Sequence, residues 1–97
     1  LNFNKQKFEA YFSESPVKRI GWERFLRNII IASGNSQNIS LIDSLYPHLK
    51  NYYPIIRGSC VWSLFQLLCR KEKNKLRRKL LLEEKNEYVI FELRMNS

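Results

Sequence analysis

SPVKRIGWERFLRNIIIASGN, residues 15–35, decides the fold. It carries both a start and a stop signal for a helix. The Ser15 hydroxyl can accept from an orphan backbone amide of the first turn. Pro16 suits the first helical position, where no N–H is needed. At the far end Gly34 and Asn35 are the residue types that most readily take the left-handed conformation that closes a helix. Between them Trp22, Phe25, Leu26, Ile29, Ile30 and Ser33 recur at helical spacing as one broad apolar stripe. Lys18, Arg19, Arg24, Arg27 and Asn28 fall off that stripe. Gly21 is the weak link of the expected helix, at a cost of about 1 kcal/mol relative to alanine.

The pattern returns later in the chain. Pro16, Arg19, Leu26, Ile29 and Ile30 match Pro54, Arg57, Leu64, Leu67 and Leu68, each pair 38 residues apart. A proline entry, an arginine one turn in, then paired aliphatics, at a period near ~40 residues, is the spacing of HEAT-type helical repeats. The expected fold is therefore all-α, a short α-solenoid of about three HEAT-like antiparallel helix pairs in a single domain over residues 1–97. Its 16–33 and 55–70 helices should lie side by side.

Composition sets the bounds. Ninety-seven residues, 44% of them hydrophobic, allow one core. A chain of this size buries less than about two-thirds of its unfolded surface and should be modestly stable. It begins at Leu1 without an initiator methionine, so it is expected to be part of a longer protein. No apolar run approaches the ~20 residues of a membrane span, and no signal-peptide layout is present. Cys60 and Cys69, nine apart in one expected helix, are separated by roughly 13 Å, too far for a disulfide. Both read as reduced, buried, small apolar residues of a cytoplasmic protein. The net charge of +8, from 17 basic and nine acidic residues, favours polyanions, nucleic acid before an anionic membrane face.

A short first helix is expected over residues 4–13, folding back on the next. After a polar loop at 35–38, Ser40 with Asp43 forms a weak capping box ahead of a stripe of Ile39, Ile42, Leu45, Tyr46 and Leu49. Pro47 should stop or kink that helix near Tyr46. Residues 55–70 form a helix apolar nearly all round, and so sandwiched between neighbours. The run RKEKNKLRRK, residues 70–79, follows as a basic rim, with Asn74 opening a helix through Leu76, Leu80 and Leu81. Asn86 caps a last helix carrying Tyr88, Val89, Phe91 and Leu93.

No catalytic constellation emerges. His48 is the lone histidine, with no metal-ligand spacing around it. The three glycines form no phosphate loop, and Glu83 and Glu84 are adjacent, so they diverge on a helix. What remains is basic residues. Arg19, Glu23 and Arg27 at four-residue spacing suit an ion-pair ladder. The recurrence of Arg19 and Arg57 suggests helix packing. The candidate RNA contacts are Arg24, Arg27 and Asn28 on the first long helix, with Lys71, Lys73, Lys75, Arg77 and Arg78 at the rim.

The run from Ser15 through Pro16, Val17, Lys18, Arg19, Ile20 and Gly21 to Leu26, Arg27, Asn28, Gly34 and Asn35 resembles the C-terminal region of the epoxyqueuosine reductases. The stretch YPIIRGSCVWSLFQLL resembles the same family's HEAT-like tail, where Pro-x-x-Arg-Gly opens a helix. The resemblance spans nearly the whole chain and is least specific after Arg70. It implies a cytoplasmic tRNA-modifying oxidoreductase that uses cobalamin and two [4Fe–4S] clusters. This segment would then be a monomeric helical-repeat part that holds the tRNA anticodon arm and works with an N-terminal catalytic part. Two cysteines cannot ligate even one such cluster, so the resemblance implies no cofactor and no catalysis in this chain alone. Two other classes fit the residues: a protein-interaction α-solenoid, and a stand-alone HEAT-type nucleic-acid binder.

Overall fold

Pro54 opens the central helix as its first residue, where a missing N–H and a fixed φ suit the first turn. In the computed structural model, which describes residues 21–95, five α-helices and two short 3-10 segments account for the regular structure, with no strand among the described residues. They are α1 (Trp22–Asn35), a 3-10 turn (Ile39–Leu41), α2 (Ile42–Leu45), a second 3-10 turn (Tyr46–Lys50), α3 (Pro54–Leu67), α4 (Arg70–Leu81) and α5 (Glu87–Met95). The all-helical expectation holds for these residues. The helix expected over 4–13 and the Ser15–Pro16 start lie outside them, as does Arg19.

α3 is the middle of the structure. It packs along α1 on one side and against α5 on another, while α2 and the second 3-10 turn cover a third. The expected pairing of the two long helices is thus present. Leu26 and Ile30 of α1, Leu45 of α2, Ile56, Val61 and Leu64 of α3, and Val89 and Leu93 of α5 form one buried cluster. Full burial of each such leucine is worth about 2 kcal/mol.

Two glycines set how closely the layers approach. A Cβ on Gly34 would lie 2.7 Å from the Ser63 Cα, so α1 and α3 touch almost backbone to backbone there. Beside that contact the Ser63 hydroxyl donates to the Ile30 carbonyl at 2.6 Å. Gly58 likewise lies under the Tyr88 ring of α5, where a Cβ would overlap it.

Several expectations are corrected. Gly21 is not inside a helix: at φ 102° it precedes the first turn, and α1 begins at Trp22. That φ suits glycine and few other residues. Gly34 is helical rather than left-handed, because the close approach to α3 uses its missing side chain. The left-handed residue is Gln37, at φ 60°. Asn38, not Ser40, caps the next segment, its side chain accepting from the Ser40 amide at 3.1 Å. Pro47 does end the α-geometry at Leu45, as its position predicts, and the chain continues as 3-10 helix. Because a 3-10 turn has three residues rather than 3.6, the expected stripe breaks up and Ile39 and Tyr46 face outward. Phe91 is also exposed, whereas Val89 and Leu93, one turn apart, are buried. Asn86 caps α5 as expected, accepting from the Tyr88 amide at 2.9 Å.

Gly34→Ala should destabilise the chain by about 1–3 kcal/mol through overpacking, despite alanine's higher helix propensity. Gly58→Ala should cost less, since a tyrosine ring can swing where the Ser63 backbone cannot. Chemical denaturation midpoints of the two variants check the order.

Candidate nucleic-acid interface

The basic run is itself a helix. Residues 70–79 are rich in lysine, arginine and leucine, all good helix formers. Arg78 and Lys79 in the last turn favour the negative end of the helix dipole. α4 therefore starts at Arg70, four residues before the expected start at Asn74, and the expected rim loop does not exist. Helical geometry then sorts the cations into two sets.

One set is bound up in the fold. Arg77 donates from Nε to the Leu93 carbonyl at 2.6 Å and from Nη1 to Asn74 Oδ1 at 2.6 Å. Its guanidinium also stands 5.1 Å from the centroid of the Phe65 ring. Lys73 reaches the same ring at 6.0 Å. Such cation–π contacts are worth about 0.5–1 kcal/mol at partly exposed sites. Arg77 thus ties α4 to the last turn of α5 and to the end of α3. Arg70, Lys73, Asn74 and Arg77 together line a hollow of about 470 Å³.

The other set points away. Lys71, Lys75, Arg78 and Lys79 are exposed and share one stripe of α4 by their three- and four-residue spacing. None of them makes an ion pair or a side-chain hydrogen bond among the described residues. Like charges one turn apart repel by a few tenths of a kcal/mol per pair, and Glu72 is the one acid of the helix that can offset this. Reading the run as a loop leaves Lys79 out; the four-residue step from Lys75 brings it in.

On α1, Arg24 and Asn28 are exposed one turn apart, while Arg27 is half-buried. Its Nε is buried with no hydrogen-bond partner among the described residues. The expected rung from Glu23 to Arg27 is not formed there.

Arg57 acts in packing, as its recurrence suggested. It grips Glu84 with two hydrogen bonds, Nε to Oε2 at 3.2 Å and Nη2 to Oε1 at 2.8 Å. Its Nη1 donates to the carbonyls of Asn51 and Tyr52 at 2.9 and 3.0 Å. Both side chains of the pair are about four-fifths or more buried. A groove of about 810 Å³ runs nearby between the second 3-10 turn and α4, with Lys50 and Lys79 among its lining residues. Tyr46 lies in it, its hydroxyl pKa raised by burial and then by the nearby Glu72 and Asp43 carboxylates. His48 is half-buried, and burial lowers its pKa, so it stays neutral at pH 7.

No group of three or more His, Cys, Asp or Glu side chains among the described residues is placed to hold a metal. Cys60 is buried, hydrogen-bonded to the Leu45 carbonyl at 3.0 Å, and burial pushes its thiol up to about 12. Cys69 corrects the expectation of two buried thiols: it is exposed, because α3 ends at Leu67 and the chain turns outward before α4.

Along 69 residues the chain is 30% identical to the epoxyqueuosine reductase of Yersinia pestis, a weak homology. The matched stretch covers 71% of this chain and 17% of that enzyme, so the chain spans about a sixth of its relative. No protein-family model matches the chain, and no solved structure matches it.

A thiol reagent near neutral pH should modify Cys69 within the mixing time of ordinary surface thiols and leave Cys60 untouched until denaturant is added. Mass spectrometry of the labelled native and unfolded chain reads this directly.

Proposed function

We propose that this chain is the tRNA-positioning module of an epoxyqueuosine reductase-like tRNA-modification enzyme. The observation that carries the reading is the row of Lys71, Lys75, Arg78 and Lys79 on α4, exposed and making no ion pair among the described residues, in a chain of net charge +8. The homology to epoxyqueuosine reductase supports the choice of tRNA over other polyanions. Its helices are the tail end of a HEAT-like solenoid, and α1 adds Arg24 and Asn28 as further contacts. It performs no chemistry itself. Cobalamin and the two [4Fe–4S] clusters belong to a catalytic part of the same cytoplasmic protein, against which this monomeric segment holds the anticodon arm.

A row of cations along one helix meets phosphates rather than base edges, so it adds affinity and register with little sequence choice. Lys73 and Arg77 hold α4 in place and make poor targets for a test, since their loss would loosen the fold. The informative variant replaces Lys71, Lys75 and Arg78 with alanine. Its affinity for tRNA should fall, and the slope of log affinity against log salt should shrink by about two to three units, near one per contact removed. All tRNAs should weaken alike. Unchanged affinity and slope at an equal denaturation midpoint would overturn the reading and favour a protein-interaction role.

A further inference from the structure

Tyr52 is 87% exposed, yet its loop is held by three hydrogen bonds. The loop follows Lys50, the last residue of the second 3-10 turn, and ends where Pro54 starts α3. Asn51 Oδ1 accepts from the Tyr53 amide at 2.9 Å. Arg57 reaches back from the first turn of α3 to the carbonyls of Asn51 and Tyr52, and Glu84 fixes the same guanidinium from the far side. Both carbonyls flanking the Tyr52 amide plane are therefore pinned. Tyr53 meets Tyr52 at 89°, ring centroids 5.3 Å apart, an edge-to-face contact that leaves at least one face of Tyr52 open. An aromatic ring presented this way has little ordering entropy left to lose on binding.

Its surroundings point to the ligand. Lys50, two residues earlier, lines the same groove as Lys79, the last cation of the α4 row. One end of the row and the residue two before Tyr52 therefore line one groove. Asp43 and Glu83 also line it, so a phosphate chain would cross from Lys79 to Lys50 over the rim rather than enter. Two residues beyond Lys50 the chain offers the exposed ring of Tyr52.

We propose that Tyr52 is a stacking platform for one unpaired base of the bound RNA. This rests on the RNA reading above. Aromatic stacking is the usual way proteins hold bases splayed out of single-stranded loops, and it tolerates any base because each has a π-face. The platform would thus favour RNA with an unpaired loop over a continuous duplex, a choice that the lysine row cannot make.

The test compares wild type, Tyr52→Ala, Tyr52→Trp and the Lys71, Lys75, Arg78 triple alanine variant. The probes are an RNA hairpin with 2-aminopurine in its single-stranded loop and a blunt RNA duplex of equal length. Tyr52→Ala should weaken hairpin binding about 5- to 100-fold, with the salt slope and duplex affinity unchanged. Tyr52→Trp should retain hairpin binding and quench the 2-aminopurine at least as strongly as wild type. Because the side chain is exposed, the denaturation midpoints of both variants should match wild type. If Tyr52→Ala binds and quenches as wild type does while the triple variant loses its slope, the platform is overturned and the lysine row stands. If the triple variant is also silent, the RNA reading itself has failed, and the exposed tyrosine belongs to a protein contact.

Discussion

Nine of the fourteen residues of α3 are buried, and they lie around most of the helix, leaving a narrow stripe with Gln66 exposed. Such a helix has little face to offer water, so it is stable only if other elements surround it. α1, α5, α2 and the second 3-10 turn do so. The covering is close because glycines stand at the contacts: Gly34 of α1 meets the Ser63 backbone, and Gly58 of α3 meets Tyr88. The polar atoms that this burial strands are satisfied within it. Ser59 and Ser63 donate to the Ile55 and Ile30 carbonyls, and the Cys60 thiol to that of Leu45. An unsatisfied buried polar group would cost about 1–3 kcal/mol.

The two ends of α3 are tied down by arginines. Arg57 at its start clamps the preceding loop and Glu84, joining segments 27 residues apart. A largely buried ion pair of this kind contributes modestly in net terms, but removing one partner leaves a costly uncompensated charge. Its effect is geometric: it fixes where the loop at Tyr52 and the α4–α5 connection sit. At the other end Arg77 joins α4 to Phe65 and to the Leu93 carbonyl. α4 is otherwise held by little apolar surface, Leu76 being its one buried residue. These contacts use up the inner cations of the basic run and turn the outer four toward solvent.

That division decides what the charge can do. Lysines on a packed helix keep their mutual spacing, so they present phosphates with a fixed row rather than a flexible tail. A row of this kind favours a polyanion and discriminates poorly among sequences. On the reading proposed above, any choice among RNAs would come from shape or from an aromatic contact, and Tyr52 is an exposed ring whose loop the Arg57 clamp holds.

Local chemistry made much of this legible from the residues alone. Asn86 as a cap, Pro47 as the end of an α-segment and the apolarity of the helix expected over 55–70 each act within one or two turns and took the expected form, although that helix starts at Pro54 and ends at Leu67. Helical periodicity likewise separated Leu26 and Ile30 from Arg24 and Asn28. The tertiary structure decided whatever depended on partners far along the chain. Gly34 could have closed a helix, but the nearness of Ser63 made it a packing contact within one. The run at 70–79 carried a helix's composition, yet only Phe65 and Leu93 could determine that Arg77 and Lys73 face inward while Lys71, Lys75, Arg78 and Lys79 face out. Arg57 finds Glu84 across 27 residues, and Cys69 is exposed because a helix ends two residues before it. Periodicity reports which face of a helix is apolar; it carries no information about which neighbour arrives to cover that face.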